Sequence, residues 1–284
     1  MITPFKDGKV NFDTLGKLID FQIEGGTDAL VILGTTGEPS TMTESEREEI
    51  IRYSIERADG KIKIIAGVGS NDTSKAVIYA KTAEKLGADG VLAVTPYYNK
   101  CTQRGIFEYY KAICGATSLP VIAYNVPSRT GVNITPETAE KLSSLSNLAG
   151  IKEASGNMAQ VCETMRRVRG KTDIFSGEDA LNLPVLAIGG AGVISVVSNV
   201  APKEVKEVYT LVKEGDYDRA NELQDKLLPL IDACFTEVNP IPVKQALNML
   251  GFDAGIPRPP LTELEEVHKE KLLKELKKVV KLKW

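Results

Sequence analysis

Seven short apolar segments, each running into a polar or glycine-containing loop and then into a stretch with helical spacing, predict an α/β fold. The class is a (β/α)8 TIM barrel with a C-terminal helical domain. The segments start near residues 29, 62, 90, 120, 148, 173 and 192, so each interval of 19–33 residues has room for one helix. They are continuous apolar runs rather than alternating ones, which predicts a parallel sheet covered on its outer face. One more strand at the very start of the chain would make eight, the count of a closed barrel.

The elements follow in order. After Met1-Ile-Thr-Pro-Phe5, residues Leu15, Leu18, Ile19 and Ile23 fall at helical spacing from Asp13 to about Glu24, and Gly25-Gly26 stops the helix. Ala29-Leu-Val-Ile-Leu33 is a strand that enters Gly34-Thr-Thr-Gly-Glu38. Thr43 and Glu46 form a capping box that opens a helix to about Arg57. The strand Ile62–Ala66 leads to Gly67-Val-Gly-Ser-Asn71 and a helix from about Thr73. Gly90–Val94 leads to Thr95-Pro-Tyr-Tyr-Asn99 and another helix.

Pro120–Tyr124 is followed by Asn125-Val-Pro-Ser-Arg-Thr-Gly131, and the strand ending at Lys152 by Glu153-Ala-Ser-Gly156. Asp173–Ser176 with Gly177-Glu178, and then Gly192-Val-Ile-Ser195, complete the series. The alternative, an open doubly wound sheet, requires a GxGxxG loop after its first strand. Gly67-Val-Gly69 is too short for that, since the next glycine is Gly87.

Beyond Ser198 helices are predicted at about 202–213, 217–235, 242–250 and 261–281. Prolines at Asn239-Pro-Ile-Pro242 and Pro257-Arg-Pro-Pro260 separate the later ones. The predicted domains are a catalytic barrel, 1–215, and a helical domain, 216–284.

Composition narrows the function. Of 284 residues, 43% are hydrophobic and 26% charged, with a formal net charge of −3. That is a globular protein with no basic field to hold nucleic acid or an anionic membrane surface. The lysine-rich tail from Lys269 to Lys283 has Leu272, Leu273, Leu276, Val279, Val280 and Leu282 between its lysines, the spacing of an amphipathic helix. Cys101, Cys114, Cys162 and Cys234 form no CxxC and there is one histidine, His268, so no structural metal is expected. Unclustered cysteines, no signal peptide and no apolar run long enough to span a bilayer predict a cytoplasmic protein with reduced thiols.

The stretch Asn147–Gly156 carries the main chemical signal. A lysine that ends a buried strand must find a partner or lose its proton. Lys152 could be an ion-pair partner of Glu153, a snorkelling stem, or an amine that attacks a keto group. In a barrel the strand ends converge on one mouth, and here they carry Thr35, Thr36, Tyr97, Tyr98, Tyr124, Arg129, Lys152, Gly177 and Ile194. This set contains no carboxylate pair, histidine or metal cluster. One amine, hydroxyls able to move protons and an arginine suited to a carboxylate match a metal-independent aldol addition of a 2-keto acid.

The motifs Thr3-Pro-Phe5, Gly34–Glu38, Thr95–Lys100, Tyr124–Gly131, Ile151–Gly156, Gly192–Ser195 and Asn239–Lys244 span nearly the whole chain. Together they resemble the dihydrodipicolinate synthase and N-acetylneuraminate lyase family of pyruvate-dependent barrels. The resemblance implies a lyase of diaminopimelate and lysine biosynthesis that condenses pyruvate with L-aspartate 4-semialdehyde and needs no cofactor or metal.

It assigns the pyruvate imine to Lys152 and a proton relay to Tyr124, Thr35 and Tyr98. Thr36 would hold the pyruvate carboxylate, Arg129 the semialdehyde carboxylate, and the backbone at Gly177 and Ile194 would line the pocket. Tyr98 would reach a neighbouring subunit of a homodimer or homotetramer. Arg129 favours this reaction over the alternatives, cleavage or formation of a 2-keto-3-deoxy sugar acid and N-acetylneuraminate lysis. A non-catalytic pyruvate-binding relative is disfavoured by the intact Lys152, Tyr124 and Thr35.

Two departures from the family pattern stand out. Family members carry several more residues before the Thr-Pro-Phe motif, so the first barrel strand is expected to be truncated here, or the chain to start late. In lysine-inhibited members the regulatory pocket uses positions matching Pro39, Ser40, Glu44, Arg47, Asn71, Lys75 and Tyr97, with a carboxylate matching Lys75 and a histidine matching Arg47. A cation at position 75 repels a lysine ligand. Weak or absent inhibition is expected; a dose-response with strong inhibition below roughly 1 mM lysine overturns this.

Overall fold

The computed structural model describes residues 1–280; Lys281, Leu282 and Lys283 of the predicted tail helix lie outside them. The chain forms two compact units. One comprises Met1–Ile64 and the residues from Ser195 onward, the other Ile65–Ile194.

The first unit opens without a full first strand, as the departure from the family pattern predicts. Residues 1–4 form no strand. The chain instead makes an antiparallel hairpin, β1 (Phe5–Lys6) and β2 (Lys9–Val10), with Phe5 opposite Val10. Asp7 and Gly8 both have positive φ (50° and 76°), as a two-residue Asp-Gly hairpin turn requires. The truncated first strand is an irregular lead-in, whose Met1 ammonium donates to the Val31 carbonyl at 2.7 Å and whose Ile2 amide donates to Asn199 Oδ1 at 3.0 Å.

Helix α1 (Phe12–Glu24) is capped by Asn11, and β3 (Ala29–Ile32) follows. Two 3-10 turns, Thr35–Gly37 and Pro39–Thr41, lead to α2 (Glu44–Ala58), where the Thr43–Glu46 capping box forms as the sequence predicts.

The second unit is the regular part: β4 (Lys63–Gly67, which begins in the first unit), α3 (Thr73–Leu86), β5 (Gly90–Val94), α4 (Gln103–Cys114) and β6 (Val121–Asn125). Then come the short α5 (Pro127–Thr130), α6 (Pro136–Leu142), β7 (Leu148–Glu153), α7 (Met158–Val168), β8 (Asp173–Ser176), α8 (Asn182–Ala187) and β9 (Gly192–Val193). Strands β3 to β9 are joined in chain order, and the pairs from β4 to β9 are parallel. Sequential order is the winding of a barrel; a doubly wound sheet reverses direction at its switch point. Strand β9 is shorter than predicted, although the Ile194 amide still donates to the Ser176 carbonyl at 2.8 Å.

The first unit ends with α9 (Pro202–Glu214), α10 (Tyr217–Cys234), α11 (Ile241–Met249) and α12 (Glu266–Val279). Leu227, Leu230, Leu272 and Leu276 are buried on them. Helix α12 begins five residues later than predicted, because Leu261–Glu265 form an irregular segment whose Glu265 amide donates to Glu237 Oε1.

A buried charge cluster lies within this unit. Lys244, 0% exposed, pairs with Glu38 at 2.6 Å and donates to the Ile256 carbonyl. Both Lys244 Nζ (4.1 Å) and the Arg258 guanidinium (4.3 Å) lie over the Phe5 ring. Arg258 also grips Glu46 with two hydrogen bonds, at 2.5 and 3.0 Å, and this holds the Glu46 carboxyl down at about 2. A depressed carboxyl stabilises the fold above its unfolded value near 4.5, and that contribution disappears as pH falls towards 2. Water partly screens the pair, so Arg258→Gln should cost about 1–2 kcal/mol at pH 7. The variant should also lose less stability than the parent between pH 4.5 and 2, as thermal unfolding at several pH values will show. An unchanged acid dependence contradicts the assignment.

Candidate active site

Parallel pairing of β5, β6, β7 and β8 sets Val94, Tyr124, Lys152 and Phe175 side by side across the sheet. Adjacent positions on neighbouring parallel strands point to the same face, so Tyr124 and Lys152 must meet. Lys152 Nζ stands 4.3 Å from the centre of the Tyr124 ring, and both residues are buried, Lys152 at 8% exposure.

The bland reading of Lys152 as a partner of Glu153 does not hold. Successive strand residues face opposite sides. Glu153 turns away and accepts hydrogen bonds from Asn125 and the Ser155 amide. Among the described residues Lys152 forms no ion pair and contacts the Tyr124 face. The half-buried Glu178 carboxyl is pushed up by burial and by Asp179, and Lys152 opposes that shift.

Gly177 explains itself at this point. A Cβ there would come within 2.8 Å of Lys152 Cγ and Cε and 3.0 Å of the Ala154 Cβ, so only glycine lets β8 end against the lysine stem. Its amide donates to the Glu153 carbonyl at 2.8 Å. Next along the sheet, Ile194 is half-buried. Lys152, Tyr124, Gly177 and Ile194 thus belong to one stretch of sheet in the second unit.

Arg129 lies on α5 after β6, exposed and without a side-chain partner among the described residues. Tyr98 is 90% exposed with φ 72°, in a tight turn closed by the Asn99 amide on the Tyr97 carbonyl at 2.9 Å. Positive φ in a bulky residue is strained and tends to mark function.

Thr35 and Thr36 belong to the first unit, half-buried on their 3-10 turn. Thr36 Oγ1 accepts from Asn239 Nδ2 at 2.9 Å, which leaves its own proton free to donate elsewhere. Thr3 Oγ1 donates to the Gly37 carbonyl at 2.8 Å, and Glu38 is held by Lys244 and the Arg258 amide.

The candidate regulatory residues divide between the units: Pro39, Ser40, Glu44 and Arg47 belong to the first, Asn71, Lys75 and Tyr97 to the second. Arg47 is buried, its Nη1 3.5 Å from the Pro39 carbonyl, while Lys75 is exposed on α3. Among the described residues, Glu237, Glu265 and His268 bring three possible metal-ligating atoms within 4.8 Å. Glu237 Oε1 already accepts the Glu265 amide. No disulfide joins the four cysteines.

Reasoning along the sequence missed the polar group behind this face, Asn125 with Asn133 and Gln160, and the brace of Lys244 and Arg258 on Glu38. Strand alternation was the available signal for Asn125, which directly follows Tyr124 on an otherwise apolar strand.

Comparison with known proteins matches this geometry to a family. Residues 1–279 match the Dihydrodipicolinate synthetase family. The chain is 53% identical over 277 residues to the 4-hydroxy-tetrahydrodipicolinate synthase of Caldicellulosiruptor bescii, covering 97% of this chain and 94% of that one. It is 53% identical over 278 residues to the synthase of Alkaliphilus oremlandii, covering 98% and 96%. The crystal structure of dihydrodipicolinate synthase from Aquifex aeolicus superposes with a TM-score of 0.96 at 46% identity, covering 98% of this chain and 95% of that one. The fold is accordingly the (β/α)8 barrel with C-terminal helices that the strand spacing predicts, and the chain belongs to the dihydrodipicolinate synthetase family.

Proposed function

We propose that the protein condenses pyruvate with L-aspartate 4-semialdehyde to 4-hydroxy-tetrahydrodipicolinate, the entry to diaminopimelate and lysine synthesis. The observation that carries the mechanism is a buried lysine at a strand end with no ion-pair partner among the described residues and a phenol ring 4.3 Å away. The Lys152 amine attacks C2 of pyruvate and water leaves, giving an imine. Loss of a methyl proton gives an enamine, which attacks the aldehyde carbon of the second substrate, and that substrate's amino group then adds to C2 and expels the Lys152 amine as the ring closes.

Tyr124 moves protons in these steps, in a relay with Thr35 and Tyr98. Thr36 donates its free hydroxyl proton to the pyruvate carboxylate, and the backbone at Gly177 and Ile194 lines the bound keto acid. Arg129 receives the semialdehyde carboxylate. The exposure and strained backbone of Tyr98 support a role at a subunit contact, in a cytoplasmic homodimer or homotetramer. The barrel proper ends at residue 215 in this reading, and residues 216–284 form the helical addition.

Intact-mass analysis after incubation with pyruvate and borohydride tests the imine. A pyruvyl adduct supports it, and no adduct on folded protein refutes it. Arg129→Ala tests the second substrate. Losing a charge-assisted pair should raise KM for the semialdehyde about 10–100-fold while the borohydride adduct still forms. An unchanged KM would move the acceptor towards an aldehyde without a carboxylate.

A further inference from the structure

We propose that Asn125 and Glu153 are a positioning pair that fixes the loop from Val126 to Ile134 and so sets where Arg129 meets the second substrate. Tyr124 pairs with Lys152 and Asn125 with Glu153 in the same register, so the polar pair lies directly behind the candidate catalytic pair, on the opposite face of the sheet. Asn125 is fully buried, and its side chain is used at both ends. Its Oδ1 accepts the Ile134 amide at 2.8 Å. Its Nδ2 donates to Asn133 Oδ1 at 2.9 Å and to both Glu153 oxygens, at 2.9 and 3.2 Å.

One asparagine therefore ties the strand end to the far end of the loop, eight and nine residues on. Glu153 Oε1 accepts the Ser155 amide at 2.7 Å, which fixes the chain leaving β7. Gln160 on α7 completes the group, with reciprocal hydrogen bonds to Asn133 at 2.7 and 3.1 Å. Within the loop, Thr130 Oγ1 lies within hydrogen-bond distance of the Val126 and Val132 carbonyls, and Thr95 Oγ1 donates to it.

Arg129 has no side-chain partner of its own among the described residues, so its reach is governed by where this anchored backbone holds it. Burial pushes the Glu153 carboxyl up, and the donors around it oppose that shift. A buried carboxylate surrounded by donors fixes the orientation of every amide it touches.

The inference rests on Arg129 as the grip on the semialdehyde, and the test separates the two. Steady-state kinetics and pyruvate–borohydride trapping are measured for Arg129→Ala, Gln160→Ala, Glu153→Gln, Asn125→Asp and the exchange double variant Asn125→Asp/Glu153→Gln. Glu153→Gln sets two amide donors against each other, and Asn125→Asp sets two carboxylates against each other. The double variant restores a donor facing an acceptor.

Each single change at 125 or 153 should raise KM for the semialdehyde about tenfold, with KM for pyruvate and the trapped fraction within roughly twofold of the parent. The exchange should recover most of that loss. Gln160→Ala, on a partly exposed side chain, should fold and show a smaller rise of the same kind. Equal losses in both substrates, or no recovery in the exchange variant, overturn the positioning role. If the single variants fail to fold, a Gln160→Ala enzyme with unchanged semialdehyde KM also overturns it. An Arg129→Ala enzyme with unchanged semialdehyde KM refutes the underlying reading and this inference with it.

Discussion

Lys152→Met should abolish turnover, lowering kcat/KM by at least roughly 10⁴-fold, because the proposed mechanism runs through an imine on this amine and a thioether forms none. Methionine is the informative substitution. The lysine stem packs where Gly177 closes on it, and Met keeps a stem of similar length against that glycine. A volume-conserving apolar exchange costs less than about 1.5 kcal/mol, so the fold should persist while the chemistry is lost. The measurements are coupled turnover assays beside a thermal melt of the same preparation. A variant that melts near the parent and keeps more than about 1% of its activity would remove Lys152 from the mechanism. Lys152→Arg should fail equally, because a guanidinium forms no imine with a ketone.

Lys244→Met should have the largest effect on stability, about 3–5 kcal/mol, because it leaves the Glu38 carboxylate buried without its cation. Denaturant unfolding measures this. Changing both partners, Glu38→Gln with Lys244→Met, removes both charges together and should recover most of the loss. A double variant no better than the single would mean that packing against Phe5, rather than the ion pair, carries the stability.

Burial brings the Lys244 amine down to about 8, against the opposing pull of Glu38. Below that value the folded protein carries the full cost of a buried ammonium. Between about 8 and 10.5 the unfolded chain binds more protons, so this group makes stability rise with pH. Lys244→Met should lack that rise.

The two lysines show how far linear reasoning reached. Lys152 stood out because it ends an apolar run in front of a small-residue loop, a local pattern with few explanations. Lys244 sits between prolines and helix formers, with no local pattern that marks it as buried, yet it is the more deeply buried. Its partner is a glutamate from another part of the chain, and Arg258 reaches that glutamate from 220 residues away.

Strand positions, helix order and the capping box at Thr43 were legible because they depend on neighbours within a few residues: apolar runs, caps and glycine stops. What replaces the truncated opening strand was not legible, for the complementary reason. A strand exists only if another backbone supplies a ladder, and Met1–Pro4 find isolated acceptors while Asp7-Gly8 turns the chain into a hairpin.

The sequence by itself determined the fold class and the chemical types at the strand ends, because strand period and helix spacing are properties of adjacent residues. Only the tertiary structure decided which of those residues meet. Parallel register set Tyr124 beside Lys152 and, one position on, Asn125 beside Glu153. A shift of one residue would have exchanged the two faces, and nothing local to either strand specifies the register between them.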